Sequence, residues 1–454
     1  MRAAAYQNAD MAQFLLAKGL APQHTMKDGD TALTESYRLT NRELAPILIA
    51  AGSDVNAANT TAGSVKNGPI DSFGVTPLML AARFDVPAGI SALINAGAKV
   101  DTTDHRHMTA LMMAVAADRA NPANVGQLIN AGADVNVKDR NGETALDWAR
   151  KYGNPEVIAA LEKAGAAEKG LPPAPRGDSD YKPDAREAVA RSATLLTKSS
   201  GAFFSGGGCI GCHHQVFAAR AFGALKSAGL PADPRLRKTL IDGLVAERPK
   251  RIARLQFLTG SGGLVDTFLY PLAGLAEMSE PASDFTDVMV HYVAETQQPS
   301  GEWDLQSSRP PLQESSITRT MLAIEALKTY GWPARQAEFD ERIARARAWL
   351  MKATTWTTVD EADRILGLNL AGASSNEFRE FGRKLMAQQR SDGGWAQTRY
   401  LQSDAYGTAC VLYALRKSGM VKVSDAAYQR GARYLLETQF PDGSWYVRSR
   451  AVKL

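Results

Sequence analysis

Gly74-Val75-Thr76-Pro77-Leu78-Met79-Leu80-Ala81-Ala82, followed by Asn95-Ala96-Gly97-Ala98-Lys99-Val100-Asp101, is one copy of a repeat that decides the fold of the first third of the chain. Its Thr-x-Leu triplet recurs at Thr31/Leu33, Thr76/Leu78, Thr109/Leu111 and Thr144/Leu146, at intervals of 45, 33 and 35 residues. In three copies a glycine follows the leucine by 19 residues, at Gly52, Gly97 and Gly165. The remaining copy reaches Gly132 after two extra residues. The long first interval holds an insert near 57–72 rich in Gly, Thr, Asn and Ser. Self-similarity at this period marks stacked supersecondary units.

Each marker has a physical role. Gly74 and Gly142 let the chain turn into the first helix of a unit. The threonine caps that helix, and Pro77 suits its first turn. Leu33, Leu78, Leu111 and Leu146 point into the stack, and the alanines after them allow close helix approach. The later glycine ends the second helix in a left-handed cap. Strings such as Asp54-Val55-Asn56 and Asp134-Val135-Asn136 then form a projecting turn. One hairpin cannot bury its own apolar face, and stacking solves that. This pattern resembles ankyrin repeats over residues 1–166, about four and a half units. The resemblance implies a scaffold that binds a protein partner, which the sequence does not identify. Its tips would present Asp104, His105 and Arg106, then Asp139, Arg140 and Asn141, either as partner contacts or as solvated turns. His105 and His107 lack a further ligand at metal spacing.

Residues 167–184 contain four prolines and two glycines and read as a linker. Beyond it a second repeat appears, Gln-x-x-(Asp/Ser)-Gly-x-Trp, at Gln297–Trp303, Gln389–Trp395 and Gln439–Trp445. The first two tryptophans are 92 apart and the last two 50 apart, with Trp356 between as a degenerate copy. Each motif follows one amphipathic helix and precedes another, as in Ser316–Tyr330 and Asp404–Lys417. The Asp-Gly pair turns the chain, and the Gln amide ties a helix end to the neighbouring Trp. The motif resembles the Gln-Trp motif of the squalene–hopene cyclase family, an α/α toroid shared with protein prenyltransferase β-subunits, over about 185–454. Members of that family protonate their substrate with Asp-x-Asp-Asp. The nearest string here is Asp360-Glu361-Ala362-Asp363, which reads as helix-start carboxylates. No zinc-ligand set of the prenyltransferase kind is recognisable, so no catalytic residue is assigned. A toroid alone does not establish an activity.

The most specific chemistry lies in Gly206-Gly207-Gly208-Cys209-Ile210-Gly211-Cys212-His213-His214. Cys-x-x-Cys-His is the attachment motif of c-type haem. Cys209 and Cys212 would bind the two vinyl groups of one porphyrin, and His213 would be the axial ligand of the iron. His214, His291, Met278 and Met289 are the candidates for the sixth ligand. Zinc is an alternative but needs a distant fourth ligand such as His291. A thiol–disulfide role is another, without the usual βαβ context. Cys410, the third cysteine, reads as a core residue.

The composition sets bounds. The chain has 454 residues, enough for two or three domains, with 45% hydrophobic and 22% charged residues. A net charge of +4 over that length gives no footprint for nucleic acid. Three cysteines rule out a disulfide framework. No apolar run is long enough for a membrane span, and Met1-Arg-Ala-Ala-Ala-Tyr-Gln-Asn has no secretory core. Covalent haem attachment in bacteria takes place outside the cytoplasm. Because Met1–Gly19 aligns without gaps with Met79–Gly97, the chain is expected to be a piece of a longer, exported or periplasmic protein.

The expected fold class is all-α: an ankyrin-repeat solenoid over 1–166, a linker over 167–184, and an incomplete α/α toroid of helical hairpins over 185–454. The expected function is a protein-binding scaffold joined to a toroid that carries haem c, with electron transfer as its chemistry. Two alternatives stand beside it. One is an enzyme acting on an isoprenoid or other apolar substrate in the toroid. The other is a non-catalytic interaction protein without cofactor.

Overall fold

The computed structural model describes residues 8–38, 43–60, 64–65, 68–69, 73–175, 181–206, 212–245, 264–304, 310–312 and 315–451. Of these, 64–65, 68–69, 203–206, 212–215, 236, 243–245 and 264–267 are described by their backbone alone. The described regular structure is helical apart from two short two-stranded ribbons, Ser64–Val65 with Gly68–Pro69 and Trp395–Ala396 with Ser403–Asp404. The chain divides into two compact units. Unit 1 is Met1–Pro173 with Leu305–Glu314 and Arg448–Leu454, and unit 2 is Ala174–Asp304 with Ser315–Val447. The two short excursions into unit 1 have no counterpart in a linear reading of the sequence.

Unit 1 is built from α1 (Ala9–Ala17), α2 (Ala32–Arg38), α3 (Leu44–Ala50), α4 (Pro77–Arg83), α5 (Pro87–Asn95), α6 (Ala110–Val115), α7 (Pro122–Asn130), α8 (Ala145–Tyr152) and α9 (Pro155–Lys163). Helices α2, α4, α6 and α8 pack side by side in one layer, and α1, α3, α5, α7 and α9 in the other. The expected caps are present: the Thr76, Thr109 and Thr144 hydroxyls accept from the amides of Met79, Met112 and Asp147. Leu33, Leu78, Leu111 and Leu146 are all buried. Gly52, Gly97, Gly132 and Gly165 have φ of 85°, 88°, 90° and 81°, the left-handed cap that ends each second helix.

The Asp-Val-Asn strings do more than turn the chain. Asn56 donates from Nδ2 to Gly97 O at 3.2 Å and accepts from the Lys99 amide at 2.8 Å. Asn136 repeats this with Gly165 O and the Ala167 amide at 3.2 and 2.7 Å. Each asparagine therefore joins one repeat to the helix end of the next. The start of the expected linker is also fixed. The amides of Lys169 and Gly170 both donate to the Asp147 carboxylate at 2.9 Å.

Unit 2 comprises α10 (Ala185–Gly206), α11 (Cys212–Ser227), α12 (Pro234–Val245), α13 (Leu264–Glu277), α14 (Asp284–Glu295), α15 (Ser316–Tyr330), α16 (Gln336–Lys352), α17 (Thr358–Leu370), α18 (Arg379–Ala387), α19 (Ala405–Lys417) and α20 (Ala426–Glu437). An inner layer runs α11–α13–α15–α17–α19, each packed on the next. Helices α14, α16, α18 and α20 lie outside it, each against its inner neighbours.

The Gln-x-x-(Asp/Ser)-Gly-x-Trp segments are straps between outer helices. Gln297 Nε2 donates to Gly301 O at 2.8 Å and to Arg342 O of α16 at 2.9 Å. Gln389 does the same to Gly393 O and to Ala427 O of α20, both at 2.8 Å. Gln439 reaches Ala188 O of α10 at 3.1 Å, so the last strap returns to the first helix of the unit. The glutamine thus binds the next helix, and a separate bond ties the tryptophan to the preceding one. Trp303, Trp395 and Trp445 donate from Nε1 to the carbonyls of Val293, Leu385 and Leu435 at 2.6, 2.9 and 2.8 Å. Glycine is required at Gly393, where φ is 86° and a Cβ would stand 2.7 Å from Arg430 O. Trp356 does not follow this plan. It is 55% exposed and makes no strap between α16 and α18, which corrects its reading as a degenerate copy.

Gln389→Ala leaves the Gly393 and Ala427 carbonyls without this donor. We expect a loss of about 1–3 kcal/mol, read as a fall of several degrees in the thermal midpoint of the helical signal. An unchanged midpoint would show that the strap is held by Trp395 alone.

Candidate functional site

The residues proposed to hold haem do not all fall within the described structure. Cys209 lies outside the described residues. Cys212 opens α11 and His213 lies in its first turn, both described by backbone alone. The donor set suits the group chemically: two thiols for two thioether bonds and an adjacent imidazole for the iron. The candidates for a further ligand have other roles. Met278 and Met289 are buried in the apolar core of unit 2. His291 Nδ1 lies 3.2 Å from Arg335 Nη1, and its ring stacks on Trp332. His214 is described by backbone alone. Among the described residues, no three His, Cys, Asp or Glu side chains gather as a metal site.

Further along α11, Arg220 joins a cluster of charged and aromatic side chains of the inner layer. It is eight residues after Cys212, about 12 Å along the helix axis. Its Nη2 donates to Glu325 of α15 at 3.1 Å, and its Nε lies 3.9 Å from Glu277 of α13. Its guanidinium carbon stands 5.9 Å from the centroid of the Tyr413 ring of α19. Tyr413 in turn donates to Glu277 at 3.2 Å. Asp363 of α17 accepts from the Thr318 hydroxyl at 2.6 Å. Tyr406 lies beside Cys410 on α19 and meets Phe217 of α11 edge to face at 6.4 Å. All five inner helices thus contribute to one cluster of charges and aromatic rings. The sequence reading missed it because its members lie on five separate segments.

The electrostatics follow from crowding. Burial pushes Asp363 up to about 6, with the Thr318 bond and Arg220 pulling it back and Asp360 and Glu325 pushing further. Burial also raises Glu325, against the pull of Arg220. For Arg220, burial opposes the charge, but Glu325, Tyr413, Glu277 and Asp363 outweigh it and the pKa is raised. Burial and the charge of Asp363 raise the Cys410 thiol. It is half-buried and packs against the core, which refines its reading as an ordinary core residue. The expected capping role holds for Asp360, whose carboxylate accepts from the Trp356 and Thr357 amides at 2.9 and 3.1 Å. Asp363 bonds Thr318 instead and belongs to the cluster around Arg220.

The repeat tips also differ from expectation. Asp104 and Arg106 are buried and paired with one another. Asp104 also accepts from the Met108 amide at 2.9 Å. Asp139 is buried and accepts from the Trp148 indole at 3.1 Å and the Glu143 amide at 2.9 Å. These carboxylates build their turns from within, so they are not presented to a partner. His107, Arg140 and Asn141 are exposed. His105 stacks on Phe73 with centroids 3.9 Å apart and contacts Arg140.

The raised Asp363 has a signed consequence. Its folded value of about 6 lies above the ordinary 3.8. Its stabilising contribution is therefore complete below about pH 4 and is lost as pH rises through 6. Relative to the unchanged chain, Asp363→Asn should gain about 2 kcal/mol of stability between pH 4.5 and 7.5. Denaturant titrations at the two pH values measure it. A pH-independent difference would mean that Asp363 ionises like an exposed carboxyl.

The family model for ankyrin repeats, in three copies, matches residues 58–139 and 78–171. No curated protein matches the chain. No helix among the described residues is long and apolar enough to cross a membrane. The stacked hairpins within residues 58–171 are ankyrin repeats, a scaffold for protein–protein interaction.

Proposed function

We propose that the chain couples this protein-binding scaffold to an electron-transfer centre: one c-type haem held by unit 2, with unit 2 a toroid of the squalene–hopene cyclase kind. The observation that carries the reading is the Cys209-x-x-Cys212-His213 string at the start of α11. Cys209 and Cys212 would hold the group covalently, and His213 would ligate its iron. When bound, the group supplies one-electron exchange between two iron oxidation states. The remaining work belongs to the chain. Helix α11 is packed along α13 and fixed by Arg220 to Glu325, so its first turn is carried on a braced element. The ankyrin stack would bring a protein partner to that centre. The two-layer arrangement and the strap from Gln439 to α10 support the toroid. Attachment would take place in an exported or periplasmic setting.

The test is expression with haem-maturation machinery, followed by haem staining after denaturing electrophoresis. The unchanged chain should carry stain that survives denaturation, and Cys212→Ala should lose covalent attachment. An unstained, correctly folded chain would sink the reading.

One observation favours an enzyme acting on an isoprenoid or other apolar substrate. Asp363 is a buried acid clustered with Phe217, Tyr406 and Tyr413, with its pKa pushed up to about 6, as a general acid near neutral pH requires. Turnover of polyprenyl substrates by the unchanged chain, abolished in Asp363→Asn, would establish this activity. No turnover by the unchanged chain would remove it.

A further inference from the structure

Arg450 is 1% exposed, although it lies in a stretch without helix or strand. It is seated on the ankyrin stack of unit 1, to which Arg448–Leu454 belongs. Its guanidinium pairs with Asp118, whose side chain is 3% exposed, in the turn that follows α6. Its guanidinium carbon stands 5.2 Å from the centroid of the Tyr152 ring at the end of α8. The Tyr152 hydroxyl donates to the backbone carbonyl of Arg450 at 2.7 Å. Two residues earlier, Arg448 donates from Nη2 to Pro172 O at 3.1 Å.

This arrangement has the two parts that peptide recognition needs. A main-chain bond from Tyr152 holds any residue in register, and Asp118 with the Tyr152 ring selects arginine. The site lies where the first helices of two repeats end, at the opposite end of those helices from the projecting turns. Both receptor residues come from the stack, and the arginine lies 298 positions after Tyr152 in the chain. A buried ion pair recovers little net energy after the desolvation of both charges. An occupant held this way is specific without being tightly held.

We propose that this face of the ankyrin stack is a receptor for an arginine-bearing segment of a partner protein, and that Arg448–Arg450 occupies it in cis until the partner displaces them. The proposal rests on the protein-binding reading of the repeats and names the chemistry of the partner. Binding by the partner would release Arg448–Arg450 from Asp118 and Tyr152.

The probe is a fluorescein-labelled peptide with the sequence of residues 446–454, beside the same peptide carrying Arg450→Ala. Fluorescence anisotropy is read against three full chains: unchanged, Arg450→Ala, and Arg450→Ala with Asp118→Asn. Circular dichroism melts establish that each is folded. A chain ending at Val447 serves as a second form with the site vacated. The unchanged chain should bind the arginine peptide at least tenfold more weakly than the Arg450→Ala chain or the shortened chain. Those two should prefer it to the alanine peptide by at least tenfold. The Asp118→Asn chain should lose that preference. Folded Arg450→Ala and shortened chains that bind neither peptide, or both equally, overturn the proposal. The protein-binding reading fails separately. A partner captured equally by the unchanged and Asp118→Asn chains leaves that reading standing and overturns this proposal.

Discussion

A helical hairpin has more apolar surface than it can cover alone, and both units answer that constraint by repetition. In unit 1 the alanines beside the core leucines let α4, α6 and α8 approach closely, so each hairpin covers the next. Apolar contact alone would leave neighbouring repeats free to slide. Asn56 and Asn136 prevent that, because each bonds a carbonyl and an amide of the following repeat's helix end. In unit 2 the same problem is met by straps. A glutamine amide reaches the backbone of the next outer helix, while an indole N–H fixes the strap to the helix before it. The asparagines and the indoles serve backbone groups at helix C-terminal ends, which a helix leaves open, whereas the glutamines add a second bond to carbonyls inside the next helix.

This shared logic explains what could be read from the sequence and what could not. Thr76, Thr109 and Thr144 were legible as caps because a cap is a bond between residues three apart. The left-handed glycines were legible for the same reason. The Asp-Gly turns of the straps were local too, and their spacing from Gln to Trp betrayed a single recurring geometry. The glutamine's partner was not legible, since Arg342, Ala427 and Ala188 lie at unrelated distances along the chain. Trp356 misled because a tryptophan without the preceding Gln and Gly has no strap to anchor, and it stands exposed. Asp104 and Asp139 looked like polar tip residues, yet each folds back on amides of its own turn. Composition in a loop says little about which carboxylates are spent internally.

Asp360 and Asp363 show the same limit within one helix turn. Both are acidic residues at the start of α17, and a reading by helix-end electrostatics treats them alike. Three residues of helix separate them, and that is enough to give different surroundings. Asp360 meets the open amides of Trp356 and Thr357. Asp363 faces Thr318 on the neighbouring inner helix and shares its surroundings with Arg220 and Glu325.

The cluster around Arg220 also links the inner layer to the helix that bears the Cys-x-x-Cys-His string. Glu277, Glu325 and Asp363 place three carboxyls around one guanidinium. Like charges so close cannot all be ionised in a partly dry site. The arrangement relaxes by holding a proton on the most buried of them, Asp363, up to about pH 6. That leaves Glu325 and Glu277 to hold Arg220, and Arg220 to hold α11 against α13 and α15. The first turn of α11, which opens with Cys212, is pinned two turns further on and inherits the register of the inner layer. The charged centre of unit 2 is therefore best understood as a brace for α11. It uses buried charge for position, where its net contribution to stability is smallest and its directional specificity greatest.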